Sequence, residues 1–470
     1  MIKALFKSLI VTAAVVSGIS VFAQSTIDTF TYDALGRLVK VDETGGENDG
    51  ERREYQYDAA GNRTKVEATG QNGGAGDGTG GSGGSTEPIY AITSWSDDRD
   101  ENGAYQVHSR GLFSNGTQAF APTTVNADAN GQQQFSSIAA DSDGNFVVVW
   151  EDDTDSNGYF QIMMRGFNAD GTERFSQRTV NSVGAGQQLK PQIAMADNGN
   201  FVVVWEDDAD GNGHYEIEMR GFKADGSQRF TQRTVHNAGD GRIKPQIAMS
   251  GNGFFVVVWE DDADKNGYYQ IGMRGFRFDG TERFSQRTVN SIGAGQQLKP
   301  QIGMADNGRF VVVWEDDADG NGHYEVEMRG FYVSGTERFA QRTVHSAGDE
   351  RRRPDVAVAD DQRFVVVWED DADKNGWSQI VMRGFNADGS QRFSQRTVNT
   401  VGTGQQLRPE ITMFGSGTFI VLWDDDASGD GLHEVFARGF FASGNEKFAD
   451  IIVNTHAGGQ QRDGKIAVRR

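Results

Sequence analysis

Seven times between residues 88 and 470 the chain runs through the same order of apolar and polar positions. In the third unit the apolar phrases are PQIAM (191–195), FVVVWE (201–206), YEIEMRGF (215–222) and RFTQRTV (229–235). Each is short, rich in β-branched or aromatic residues and bounded by turn formers, which is the pattern of a β-strand. FVVVW has no alternation and predicts a strand buried on both faces. YEIEM alternates, as a strand nearer solvent does. Asp197-Asn198-Gly199 and Ala224-Asp225-Gly226 carry residues that accept positive φ and predict the tight turns that close the first and third hairpins. Tryptophans at 95, 150, 205, 259, 314, 368 and 423 mark a period of 54 or 55 residues, and Trp377 alone lies outside the series.

Four strands per unit, repeated seven times, predict an all-β chain folded as a seven-bladed β-propeller. The first unit starts at Pro88 with IYAITSW and has no PQIAM phrase before it. The chain ends on DGKIAV (463–468), which matches KPQIAM and has only two arginines after it. The C-terminal strand is therefore expected to supply the innermost strand of the first blade and close the ring, leaving no open edge. A doubled period is also visible: the units at 205 and 314 share NGHYE and TVH, and those at 259 and 368 share DKNG and TVN. Duplication of a two-blade piece accounts for it.

Four segments follow from this pattern. Residues 1–23 read as a secretory signal, with Lys3 and Lys7 before an apolar run and Val21-Phe22-Ala23 as the cleavage site. Residues 24–68 hold two related phrases, FTYDALGRLVKV (30–41) and YQYDAAGNRTKV (55–66). They resemble the YD repeat of RHS proteins at Tyr32, Asp33, Gly36, Arg37 and Leu38, and again at Tyr57, Asp58 and Gly61. A small β segment is what that resemblance implies; two copies are too few to enclose a cargo. Residues 69–88 are a Gly/Ser-rich linker, and 89–470 are the propeller. Cysteine is absent, so neither disulfides nor thiolate metal sites contribute. A formal net charge of −22 disfavours nucleic acid and anionic membranes as partners and favours cations. After cleavage of the leader no membrane insertion is expected, and the protein should be an exported monomer, secreted, at the cell surface or in the periplasm.

The charge concentrates in one loop of each unit, read as D-x-D-x-N-G-x-x-[EQ]. Its members are Asp98, Asp100, Asn102 and Gln106; Asp153, Asp155, Asn157 and Gln161; Asp208, Asp210, Asn212 and Glu216; Asp262, Asp264, Asn266 and Gln270; Asp317, Asp319, Asn321 and Glu325; Asp371, Asp373, Asn375 and Gln379. The seventh departs, with Asp426, Ser428, Asp430 and Glu434. Side-chain oxygens at positions 1, 3 and 5, a glycine at 6, a carbonyl at 7 and an acid or amide at 9 suit Ca²⁺, which takes six to eight hard oxygens. One calcium ion per blade is the expectation, and seven such ions would offset fourteen of the negative charges. The loop looks like the D-x-D-x-D-G-x-x-D hairpin of integrin-type propellers. Strand order places all seven loops, and the long connectors such as NSVGAGQQLK, on one face. Aromatic residues behind the glycine, such as Tyr159, Tyr268 and Trp377, either cover the hairpin or stack on sugars. The arginine of each RGF phrase is expected to pair with the acid of the second strand, as Arg220 with Glu206.

The whole unit, from FVVVWEDD through RGF to TVN and KPQIAM, resembles repeats of large bacterial surface and adhesin-type proteins. That resemblance implies a calcium-dependent binding or adhesion module, multivalent because equal sites on a ring gain by avidity, with an extracellular glycan or surface protein as partner. No Ser/His/Asp set or isolated carboxylate pair stands out from the repeat, so the expectation is that the protein is not an enzyme. The alternatives are a propeller hydrolase or lyase acting on polysaccharide, and a purely structural display body.

Overall fold

In the computed structural model the chain divides into two units, residues 1–84 and 85–470. Described residues are 27–32, 38–44, 52–57 and 63–69 in the first. In the second they are 91–469, apart from 183–185, 237–241, 263–264, 292–294, 319, 346–350, 372–373, 401–403, 427–428 and 455–458. The leader, the linker from residue 70 onward, and Asp33, Gly36, Arg37, Asp58 and Gly61 of the YD phrases lie outside them. The first unit holds a four-stranded antiparallel meander of β1 (Ile27–Tyr32), β2 (Leu38–Thr44), β3 (Arg52–Tyr57) and β4 (Arg63–Thr69).

The second unit is a seven-bladed β-propeller: seven four-stranded antiparallel sheets, one for each tryptophan of the series. Strands are lettered a to d from the axis outward. Blade 3 runs a Gln188–Met195, b Phe201–Asp207, c Glu216–Phe222 and d Gln228–His236. Blade 1 closes as expected. Its strand a is the C-terminal Gln460–Val468, paired with Ala91–Asp98 so that Val468 faces Ala91 and Lys465 faces Ser94.

Packing explains why strand b lacks alternation. Phe201, Val203 and Trp205 pack on Val147, Val149 and Met164 of the blade before. Val202 and Val204 pack on Phe255, Val257 and Trp259 of the blade after. Both faces of b are interior, and all seven series tryptophans are buried. Strand c departs from expectation. Glu218 and Glu327 alternate with apolar neighbours in sequence, yet both are buried in the c–d layer. Burial pushes their carboxyls up to about 7. The glycine of RGF is needed for packing: a Cβ on Gly221 would lie 2.0 Å from the ring of Phe230.

The RGF arginines do not pair with the strand-b acids. Arg220 donates instead to the Val180 carbonyl of the preceding blade at 2.7 Å. Arg110, Arg165, Arg274, Arg329, Arg383 and Arg438 each make the same bond to Val453, Val125, Val235, Val289, Val344 and Val398. Each arginine therefore staples one blade to its neighbour. Strand-b acids have another partner, described below.

Candidate functional site

Chain direction puts the b–c loops and d–a connectors on one face, called the crown, and the tight turns on the other. Within the crown loops, positions 1, 3 and 5 come together. In blade 3 the Asp208 carboxylate accepts the Gly213 N–H at 3.1 Å, Asn212 donates to Asp210 at 2.8 Å, and the Asn212 side-chain oxygen accepts the His214 N–H at 2.6 Å. Blades 1 and 2 repeat this through Asp98, Asp100 and Asn102, and through Asp153, Asp155 and Asn157. Asp262 with Asn266, Asp317 with Asn321, Asp371 with Asn375 and Asp426 with Asp430 hold the same first and fifth places. Asp264, Asp319, Asp373 and Ser428 lie outside the described residues.

Position 9 behaves in two ways. The side-chain oxygens of Gln106, Gln161, Gln270 and Gln379 accept N–H bonds at 2.6–2.8 Å from Asn126, Asn181, Asn290 and Asn399. In blades 3 and 5 the residues are Glu216 and Glu325, and histidine (His236, His345) stands where those asparagines do. Part of the doubled period is this exchange of Gln/Asn for Glu/His. Burial and then nearby aspartates hold the Glu216 and Glu434 carboxyls above the ordinary range. Among the described residues no three His, Asp or Glu side chains converge on one point. A cation here would draw on the Asn oxygen and backbone carbonyls as well as on the two aspartates.

A second site lies on the axis, and the repeat-by-repeat reading passed over it. The KPQ phrase begins strand a on the crown side. In every blade its first residue is left-handed: Phe135, Lys190, Lys244, Lys299, Arg353, Arg408 and Asp463 have φ between 48° and 56°. A register shift accompanies each. The bulge turns the backbone N–H toward the strand-b acid of the preceding blade. Lys190, Lys244, Lys299, Arg353 and Arg408 donate in this way to Glu151, Glu206, Glu260, Glu315 and Glu369 at 2.5–2.7 Å. Their side chains reach the acid of their own blade, Glu206, Glu260, Glu315, Glu369 and Asp424, at 2.8–3.1 Å. Each buried carboxylate is thus shared by two blades.

Two positions, the first and third of the KPQ phrase, then decide the chemistry. Blades 3 to 5 carry Lys and Gln there (Lys190/Gln192, Lys244/Gln246, Lys299/Gln301). The opposite arc differs: Arg353/Asp355, Arg408/Glu410, Asp463/Lys465 and Phe135/Ser137. Glu410, Asp463 and Lys465 line a cavity of about 310 Å³ at the crown end of the channel. Lys465 is ion-paired with Glu410, and Arg408 stands 3.4 Å from Asp463. Asp355 is buried beside Glu410 and accepts the Val356 and Ile411 N–H groups at 2.8 Å each. Burial, then the charge of Glu410, pushes the Asp355 carboxyl well above the usual range in spite of those bonds. Burial alone would lower the Lys465 ammonium, but Glu410 and Asp355 more than reverse this and raise it. In blade 2, Phe135 replaces the lysine, and burial without an own-blade cation lifts the Glu151 carboxyl to about 7. The sequence carries the signal as PDV, PEI and GKI where blades 3 to 5 have PQI, and all of these satisfy the same strand pattern.

No family model matches the chain, and no curated protein does. Solved structures do. One is a protein of unknown function from Dyadobacter fermentans (11% identity over 65% of this chain and 93% of that one, TM-score 0.44). Another is the α-L-arabinofuranosidase of Fusarium graminearum (14%, 66% and 94%, TM-score 0.43). A third is the α-L-arabinanase of Penicillium chrysogenum (11%, 62% and 88%, TM-score 0.42). Likeness this remote concerns the fold alone. The expectation of a non-enzyme had as its premise that no carboxylate pair stands apart from the repeat; Glu410 and Asp463 on the cavity wall are such a pair, and the premise is corrected.

Proposed function

We propose that this protein is an exported β-propeller that acts on polysaccharide, with glycosidic-bond hydrolysis at the crown end of its channel. The observation that carries the reading is the break in sevenfold repetition that sets Glu410 and Asp463 on the cavity wall, each beside a cation, with Asp355 behind Glu410. Hydrolysis of a glycosidic bond asks for two carboxyl groups in different protonation states, set by different environments. As the bond between the anomeric carbon and the glycosidic oxygen breaks, the proton that Asp355 holds passes through Glu410 to the leaving oxygen, and Asp355 is left as a carboxylate near Lys465. Water adds to the anomeric carbon and gives its proton to Asp463, which releases it to solvent as Asp355 takes one up. In this scheme Glu410 and Asp463 are catalytic, and Asp355 positions and recharges Glu410.

Reducing-end release from a panel of plant, fungal and bacterial polysaccharides tests it. Glu410→Gln and Asp463→Asn should each lower the rate about 10²–10⁴-fold without lowering the melting temperature by more than a few degrees. No release by the unaltered protein, or full activity in Glu410→Gln, would sink the proposal.

The crown loops are proposed as calcium sites that hold the face in shape. Their support is the donor set of two carboxylates and an amide around each tight turn, hard oxygens that suit Ca²⁺. A second reading, multivalent glycan binding as in an adhesion module, has its own support: Tyr159, Tyr268 and Trp377 occupy the same loop position on alternate blades and are 41–49% exposed. Binding on a glycan array that a Tyr159→Ala/Tyr268→Ala/Trp377→Ala variant loses, with cleavage intact, would assign the crown to adhesion and the axis to catalysis.

A further inference from the structure

Blade 2 is where an aromatic interrupts the ring of cations around the channel. Phe135 takes the place held by Lys190 or Arg408 elsewhere, keeps the left-handed backbone at φ 49° and is 42% exposed. Its own-blade acid, Glu151, stays buried but receives no side-chain cation from strand a. Both features act against stability, since an exposed phenyl forgoes burial and a buried carboxylate without its partner is costly. Departures of this kind from an otherwise self-consistent repeat concentrate at functional sites.

The surroundings of Phe135 identify the ligand class. The cavity it borders is walled by all seven innermost strands, so it is a pit on the axis and not a groove across the crown. At about 310 Å³ it sits at the small end of ligand pockets, with room for one or two sugar rings but not for a chain passing through. Farther along the axis the channel wall is mostly Ile, Ala, Met and Val side chains such as Ile193 and Met195, with Asp306, Asp360 and Thr412 among them. The wall of the pit combines the amides of Gln192, Gln246 and Gln301 with the Glu410–Lys465 pair. Amides that both donate and accept, in one pit with a phenyl ring, match a ring with hydroxyls at its rim and C–H groups on its face.

We propose that Phe135 is the stacking platform of a chain-end site on the propeller axis, which takes the terminal sugar of an oligosaccharide. The inference rests on the polysaccharide-directed reading above but not on cleavage. The remainder of a bound chain leaves through the crown, and a chain cleaved at Glu410 and Asp463 is shortened from its end.

Calorimetry with mono-, di- and hexasaccharides of arabinose, xylose, galactose, mannose and glucose tests this on the full chain. Phe135→Lys restores the residue of blades 3 to 5, so it should fold and melt no lower than the parent. At least one series is expected to bind, with the disaccharide within about threefold of the hexasaccharide, and Phe135→Lys to weaken it about tenfold. Phe135→Tyr should keep it. Affinity that climbs steadily with chain length, binding unchanged in Phe135→Lys, or no binding in any series overturns the proposal. Binding that fits with no hydrolysis leaves the chain-end site standing and removes the catalytic reading. Hydrolysis lost in Glu410→Gln but indifferent to Phe135→Lys does the reverse.

Discussion

At the scale of single residues, the third position of KPQ separates architecture from chemistry. Where it is Gln the position itself is uncharged; where it is Asp355, Glu410 and Lys465 three titratable groups meet in one arc. Asp355 has the clearest pH signature. Its carboxyl is raised by burial and by Glu410, with Lys465 opposing, so the folded chain holds a proton that the unfolded chain releases near pH 4. The stabilisation is fully present below about pH 4 and is lost as pH rises through neutrality. Asp355→Asn should therefore melt higher than the parent above pH 8 and nearly together with it at pH 4 to 5, read by thermal scans at both ends. A parent whose melting temperature does not fall relative to the variant would show that Asp355 is ionised in the fold. Activity in Asp355→Asn should also lose its dependence on pH near neutrality while retaining substrate affinity, as a positioning role requires.

At the scale of elements, the bulge that opens each strand a carries the joint between blades. Seven residues sit in the left-handed region, which costs about 1–3 kcal/mol for each non-glycine. Five of them return a charge-assisted hydrogen bond and an ion pair to two buried acids. Lys244→Met should remove the side-chain cation paired with Glu260, which is fully buried, and destabilise by about 3–5 kcal/mol. Pairing it with Glu260→Gln should recover part of that loss, measured by denaturant titration. The RGF arginine is the second joint. Arg220→Met leaves the Val180 carbonyl without its donor and should cost about 1–3 kcal/mol, with the same loss for Arg274→Met and Val235. A neutral result at both positions would show that the hydrophobic contacts between blades carry the joint without the staples.

At the scale of the whole molecule, closure and charge set the stability. Strand a of blade 1 comes from the C-terminus, and Lys465 of the axial cluster comes with it. Removal of residues 460–470 should therefore abolish both the cooperative melt and any axial activity, whereas a lone Lys465→Met should spare the melt more than the activity. Chelation followed by calcium titration tests the crown. Uptake near seven ions, with a large rise in melting temperature, is expected, and Asp208→Asn should remove about one. No uptake would leave the loops as turns closed by Asp208 and Asn212 alone.

The repeat, the strand order, the buried tryptophan ring and the closing strand were legible in the sequence, because a local pattern of apolar and turn residues recurs there at a fixed spacing. Crown loops were legible as tight turns closed by Asp and Asn for the same reason. The partner of Arg220 was not, since that bond crosses to the preceding blade, 40 residues away; Glu206 takes Lys190 from its own blade and the Lys244 N–H from the next. The axial set was hidden further. Asp355, Glu410, Asp463 and Lys465 lie on three different units, and within each unit the change from PQI reads as ordinary drift. Only the ring brings those strands side by side, and only burial on the axis makes one carboxyl hold its proton beside another that is paired. Sequence determined the scaffold because its interactions repeat; the tertiary fold decided the chemistry because that depends on where repetition fails.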